Sequence, residues 1–156
     1  MGIRLNQFIT VCIILTFFAC SSTRIGHEKD NFTGHIYEHK YNGMPMVDKP
    51  SSKGVPVMTT LYIYEPTRIN QIDDNLTGSP IVSEIKSKLV DSVHSDQTGE
   101  FRMYIKPGKY SVFIKYKNGY YIPYYSGIDW LSIIQVKPNE LNTSNFDIRD
   151  TGFIYE

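Results

Sequence analysis

Two histidines flank a glutamate in the run His35-Ile36-Tyr37-Glu38-His39. On a helix this H-x-x-E-H spacing sets two imidazoles on one face, where they hold a zinc ion. Zn–N bonds of about 2.0 Å demand that closeness. The residues between are Ile and Tyr, Gly34 precedes the run and Asn42-Gly43 follows it, so the local pattern is that of a strand. On a strand the rings share a face but stand about 13 Å apart at about 3.3 Å per residue, and Glu38 points the other way. No metal site is expected there. Asp96-Gln97-Thr98-Gly99-Glu100 sets carboxylates around a glycine, but a calcium loop needs six or more oxygens spread over a dozen residues, and this segment reads as a turn. Asp73, Asp74 and Asn75 read as a solvated loop. His94 beside Ser92 and Ser95 is a strand neighbourhood, not a nucleophile with its base. No catalytic residue and no cofactor follow, and the expectation is a protein that is not an enzyme.

The densest concentration of binding chemistry is aromatic. Tyr120, Tyr121, Tyr124, Tyr125 and Trp130 fall within 11 residues. Exposed, they would stack on sugar rings or anchor a protein interface, and they form the candidate ligand surface. The competing reading is core and edge packing, with the tyrosine hydroxyls reaching water. The chain of 156 residues carries 16 basic and 16 acidic side chains. That balance argues against nucleic acid, whose binders need a basic face to displace phosphate counterions.

Cys20 offers different chemistry. Arg4 supplies a short positive segment, and Phe8 to Ala19 is an apolar run too short to span a bilayer but long enough for a secretory signal. The run ends Phe17-Phe18-Ala19-Cys20-Ser21-Ser22. It resembles the lipobox of bacterial lipoprotein signal peptides, with Phe17 standing where Leu is usual. The resemblance implies cleavage after residue 19 and acylation of Cys20, hence membrane lipid as a partner. The expected location is the bacterial cell envelope, at the outer membrane of a Gram-negative cell. Removing 19 of 156 residues leaves 137, and the other cysteine, Cys12, leaves with the signal. The mature body then has no disulfide and must be held by its core. Residues 20–31 read as the lipidated N-terminus and a polar tether. The 11 residues from Ser21 to Asn31 reach at most about 36 Å when stretched.

From Phe32 to the end the apolar pattern has period two, interrupted by Gly, Pro, Asn and Asp. Strands are expected at about 33–41, 58–65, 88–95, 100–106, 109–117, 120–125, 131–136 and 143–149. Leu61 and Ile63 share one face, as do Phe101, Met103 and Ile105, then Tyr110, Val112, Ile114 and Tyr116, then Phe146 and Ile148. The long connection from Pro66 to Lys88 opens with Pro-Thr-Arg-Ile-Asn-Gln-Ile, which suits one or two helical turns with Pro66 at the first position. Asn118-Gly119 predicts a two-residue hairpin of the primed type. Gly99 and Gly108 are expected at positive φ. Seven to eight strands with almost no helix make an all-β, antiparallel sandwich.

Several of these turns carry a resemblance. Gly54-Val55-Pro56-Val57, Ser95-Asp96-Gln97-Thr98-Gly99-Glu100-Phe101, Pro107-Gly108-Lys109-Tyr110 and Asn118-Gly119-Tyr120 look like the carboxypeptidase regulatory-like domain family, with Ser95 where Thr is usual. The resemblance covers about residues 32–150 of a single domain read as 32–156, and implies a transthyretin-like or immunoglobulin-like β-sandwich, an accessory module without peptidase activity. It points to a non-enzymatic binding module whose partner is an envelope protein or a glycan. A structural component of an envelope complex, holding its partner by an edge strand, is the alternative. Asp91-Ser92-Val93 also resembles an O-glycosylation acceptor of some Gram-negative bacteria.

Overall fold

In the computed structural model the described residues are 29–39, 54–73 and 79–149. The signal at 1–19, Cys20 and most of the tether, the Asn42-Gly43 turn, Asp74 and Asn75, and residues 150–156 lie outside them. Thirteen strand segments follow in order: β1 (Phe32–His39), β2 (Val55–Pro56), β3 (Thr60–Tyr64), β4 (Ile81–Val82), β5 (Leu89–His94), β6 (Glu100–Met103) and β7 (Gly108–Tyr116). Then come β8 (Gly119–Tyr121), β9 (Tyr125–Ser126), β10 (Trp130–Leu131), β11 (Ile133–Val136), β12 (Asn142–Thr143) and β13 (Phe146–Arg149). The expected strands are all present, several of them split. Ser132, at φ 45°, breaks the run 131–136 into β10 and β11.

The fold is an all-β sandwich. In the first sheet β1 is central. Along one side it pairs antiparallel with β6 and β2, and along the other it pairs parallel with β12 and β13. That parallel ladder is the departure from the antiparallel expectation. It joins the first strand of the domain to the last, a pairing that no hairpin can encode. The second sheet runs β4-β8-β7-β3-β5, with β11 also on β7, and all its ladders are antiparallel. Between the sheets lies the main core: Phe32 and Ile36, Leu61 and Ile63, Phe101, Met103 and Ile105, Val112 and Ile114, Tyr121, Ile134 and Val136, Phe146 and Ile148. Strand alternation delivers each of these inward.

The second sheet is buried on its outer face as well. Tyr64 and Phe113 point away from the main core and pack with Ile72, Val82, Ile122 and Leu131. The cover has two parts, the described stretches 66–73 and 79–88 of the long connection and the segment 122–132. Two backbone bonds tie them together, Ile69 N–H to Asp129 C=O at 2.9 Å and Leu131 N–H to Thr67 C=O at 3.0 Å. Beneath them, the buried Ser111 hydroxyl accepts from Thr67 N–H (2.8 Å) and donates to Leu131 C=O (2.7 Å). Burial, with the nearby Tyr120 hydroxyl, pushes the Tyr64 phenol up to about 12.

Three local expectations are corrected. The only helical turn in 66–72 is a 3₁₀ turn at Ile69–Gln71, not a helix begun by Pro66; it opens where Gln71 Oε1 accepts from Arg68 N–H at 2.9 Å. Register shows Tyr116 opposite Gly119, so the hairpin loop is Lys117-Asn118 rather than Asn118-Gly119. Lys117 takes the positive φ of 50°. Gly119 serves closeness instead, since a Cβ there would sit 2.5 Å from Val82 O. Gly99 has φ +76° as expected, whereas Gly108 is ordinary strand at the start of β7, opposite Val136.

Candidate functional site

The five clustered aromatics go to different places. Tyr120 and Tyr121 are neighbours on β8 and so face opposite sides of the second sheet. Tyr121 is 5% exposed in the main core, and its hydroxyl accepts from Arg149 N–H at 3.0 Å. Tyr120 packs edge-on to Tyr62 at 5.3 Å, with the Lys115 ammonium 5.0 Å from its ring. These two build the body, and Tyr121 cannot meet a ligand. Tyr124, Tyr125 and Trp130 remain, on and beside the β9–β10 hairpin.

The hairpin is held firmly. Ser126 pairs with Trp130 and Tyr125 with Leu131. Ser132 is buried, and its hydroxyl donates to Tyr124 C=O at 2.8 Å while its N–H donates to the same carbonyl at 2.9 Å. Tyr124 Oη donates to Ile133 C=O at 3.0 Å, which pins the ring. Burial on one side raises the phenol pKa of both Tyr124 and Tyr125, so both stay protonated at neutral pH. Tyr124 is nevertheless 40% exposed, Tyr125 53%, and Ile128 at the tip 95%. The Arg68 guanidinium lies over the Trp130 ring, 4.5 Å from its centroid. Nothing in the local sequence connects Arg68 to Trp130; the contact arises because the 66–88 connection folds back onto the hairpin.

Beside the hairpin, Pro123 and Tyr124 form one wall of a groove of about 330 Å³. The other wall is β13 and the residue before it, Asn145, Phe146, Asp147 and Arg149. Asn145 Oδ1 accepts from His35 N–H at 2.9 Å, which orients its amide. Asp147 Oδ1 lies 3.0 Å from His39 Nε2, and its Oδ2 lies 3.8 Å from Arg149 Nη2. The alternation Phe146-in, Asp147-out, Ile148-in, Arg149-out is legible in the sequence. Its juxtaposition with Tyr124, which sets the segment leading into β9 beside β13, is not.

The H-x-x-E-H run lies on β1, as a strand. His35 stacks on Tyr37 at 5.9 Å, and His39 binds Asp147. Glu38 turns to the opposite face and accepts from Tyr116 Oη at 2.7 Å. Among the described residues, no group of three or more His, Cys, Asp or Glu side chains is placed to hold a metal ion. Asp96 closes its own turn: Oδ1 accepts from Thr98 N–H (2.8 Å), Thr98 Oγ1 (2.7 Å) and Glu100 N–H (3.0 Å). Ser92 is exposed on β5, an edge strand that pairs only with β3 among the described residues. No protein-family model matches the chain, and no significant match to it is found among curated proteins or solved structures.

Proposed function

We propose that this chain is a non-enzymatic binding module of the bacterial cell envelope, anchored by an acylated Cys20 and engaging a protein or glycan through its hairpin. The observation that carries the reading is a rigid hairpin with apolar and aromatic groups left in solvent: Tyr125 half-exposed and Ile128 almost fully so, on a backbone fixed by Ser132. Large apolar side chains on a firmly held tip are the anatomy of an interface anchor. The Arg68–Trp130 pair adds a flat cationic-aromatic surface beside it. The turns shared with the carboxypeptidase regulatory-like pattern, among them Asp96–Gly99, fit an accessory module of that kind.

Attachment through an edge strand has one observation in its favour, the open flank of β5. Yet β5 has a register shift opposite Ile63/Tyr64, and Asp91 is exposed within it. Bulges and charges of this sort hinder strand addition, so the hairpin is the better docking feature. The test is a photocrosslinking residue at position 128 in cells of the native host. An adduct that disappears when Tyr125→Ala is added supports the reading. No adduct at position 128, with adducts from position 92 instead, transfers the function to the edge.

A further inference from the structure

We propose that the groove between Tyr124 and β13 binds one pyranose ring of an uncharged oligosaccharide. The inference rests on the binding-module reading and names its ligand class. One wall is the ring of Tyr124, pinned through its hydroxyl to Ile133 C=O and flanked by Pro123. A pyranose presents a face of C–H bonds that packs on such a ring, and a platform fixed beforehand loses little freedom when the sugar arrives.

The opposite wall carries Asn145, Asp147 and Arg149. An amide, a carboxylate and a guanidinium are planar groups that meet neighbouring hydroxyls with donors and acceptors of matching spacing. Each is oriented by a partner already described: Asn145 by the backbone of His35, Asp147 by His39, Arg149 by Asp147. A groove of about 330 Å³ falls at the small end of ligand sites, the size of a single ring with its chain continuing into solvent.

Charge decides against the other small ligands. Asp147 stands beside Arg149, so an anion that satisfies the guanidinium meets the carboxylate, and a cation meets the reverse. A neutral polyhydroxyl compound uses both. A peptide would seek apolar pockets, and the groove's one large apolar side chain besides Tyr124, Phe146, is buried in the core.

The test is saturation-transfer NMR and calorimetry on the full lipidated chain in detergent micelles, with maltotriose, cellotriose and chitotriose as probes. At least one trisaccharide should bind at about 10 mM or below, with the strongest transfer at ring C–H protons. Arg149→Ala and Asp147→Asn, both at the surface, should each weaken it by about fivefold or more, and Tyr124→Ala by about tenfold. Tyr124→Phe, which keeps the ring, guards against an unfolded Tyr124→Ala protein and should bind within about threefold of the parent. Lys106→Ala, exposed and off the groove, should change affinity less than twofold, as roughly expected for a residue outside the contact. Absence of binding by all three sugars overturns the proposal, as does wild-type affinity in the Arg149 and Asp147 variants. A protein adduct at position 128 in that case would leave the binding-module reading standing without this ligand.

Discussion

Asp96 holds its turn as a carboxylate, and three donors converge on one oxygen. The Thr98 hydroxyl, with the amides of Thr98 and Glu100, holds its pKa below the ordinary 3.8. A depressed folded-state pKa means the contribution to stability is complete above the unfolded value and is lost as pH falls through the folded one. Asp96→Ala should therefore melt below the parent at pH 7, and the gap should shrink as pH drops below 3.8; a gap constant down to pH 2 would refute the role. Gly99 is the second point of strain. Its φ of +76° and the 2.5 Å that would separate a Cβ from Ile36 O predict a loss of about 1–3 kcal/mol for Gly99→Ala in urea unfolding. Gly108→Ala should cost less, because its added Cβ meets only the Tyr110 ring, at 3.1 Å or more. The dipeptides Thr98-Gly99 and Pro107-Gly108 look alike as turn signals, and only the ladder to β11 separates them. The aromatic cluster was legible in the same partial way. Residue type marks Tyr120 to Trp130 as a binding candidate, but burial of Tyr121 depends on a sheet that adjacent residues do not specify.

At the level of elements, β7 explains what alternation reveals and what it conceals. Tyr110, Val112, Ile114 and Tyr116 announce one apolar face, while Ser111 and Phe113 on the other face read as an ordinary mixed surface. Both of the latter are fully buried, because residues 66–73 and 79–88 and the hairpin segment close over them. A strand carries the mark of its own amphipathicity but not of what later folds across it. The parallel β1–β13 ladder was hidden for the same reason, its partners being more than a hundred residues apart. Ser111 is the test of this cover. Ser111→Ala strands the Thr67 N–H and one bond of Leu131 C=O in a dry interior and should cost about 1–3 kcal/mol. Leu131→Ala opens a cavity in the same cluster and should cost about 2–5 kcal/mol. If the cover is one cooperative unit with the sandwich, both variants should shift the denaturation midpoint and leave the slope unchanged; a separate early transition would show that the cover unfolds alone.

At the scale of the whole molecule the parallel ladder fixes which end of the body lies farthest from the point where the chain enters it. The chain comes into the body at Asn31, whose side chain brackets Ile105, donating to its carbonyl at 2.8 Å and accepting from its amide at 2.9 Å, and whose carbonyl accepts from Asn142 N–H. From there β1 and β13 run in the same direction, so Arg149, opposite His39, lies at the far end of an eight-residue strand, about 23 Å away at 3.3 Å per step. A lipid on Cys20 would thus hold the body through its near end, with Asp147 and Arg149 at the end opposite the tether's attachment. If Cys20 is acylated as proposed, Cys20→Ser should abolish palmitate labelling and release the protein from membranes, since two or more acyl chains would supply the stable anchoring. The β-rich circular dichroism spectrum of the body should be unchanged by that substitution, because the core from Phe32 to Ile148 is assembled without the cysteine. Unchanged labelling would remove the anchor. If the label is lost while the protein stays with the membrane after a high-salt wash, the body itself binds the envelope and the acyl chains are not its sole attachment.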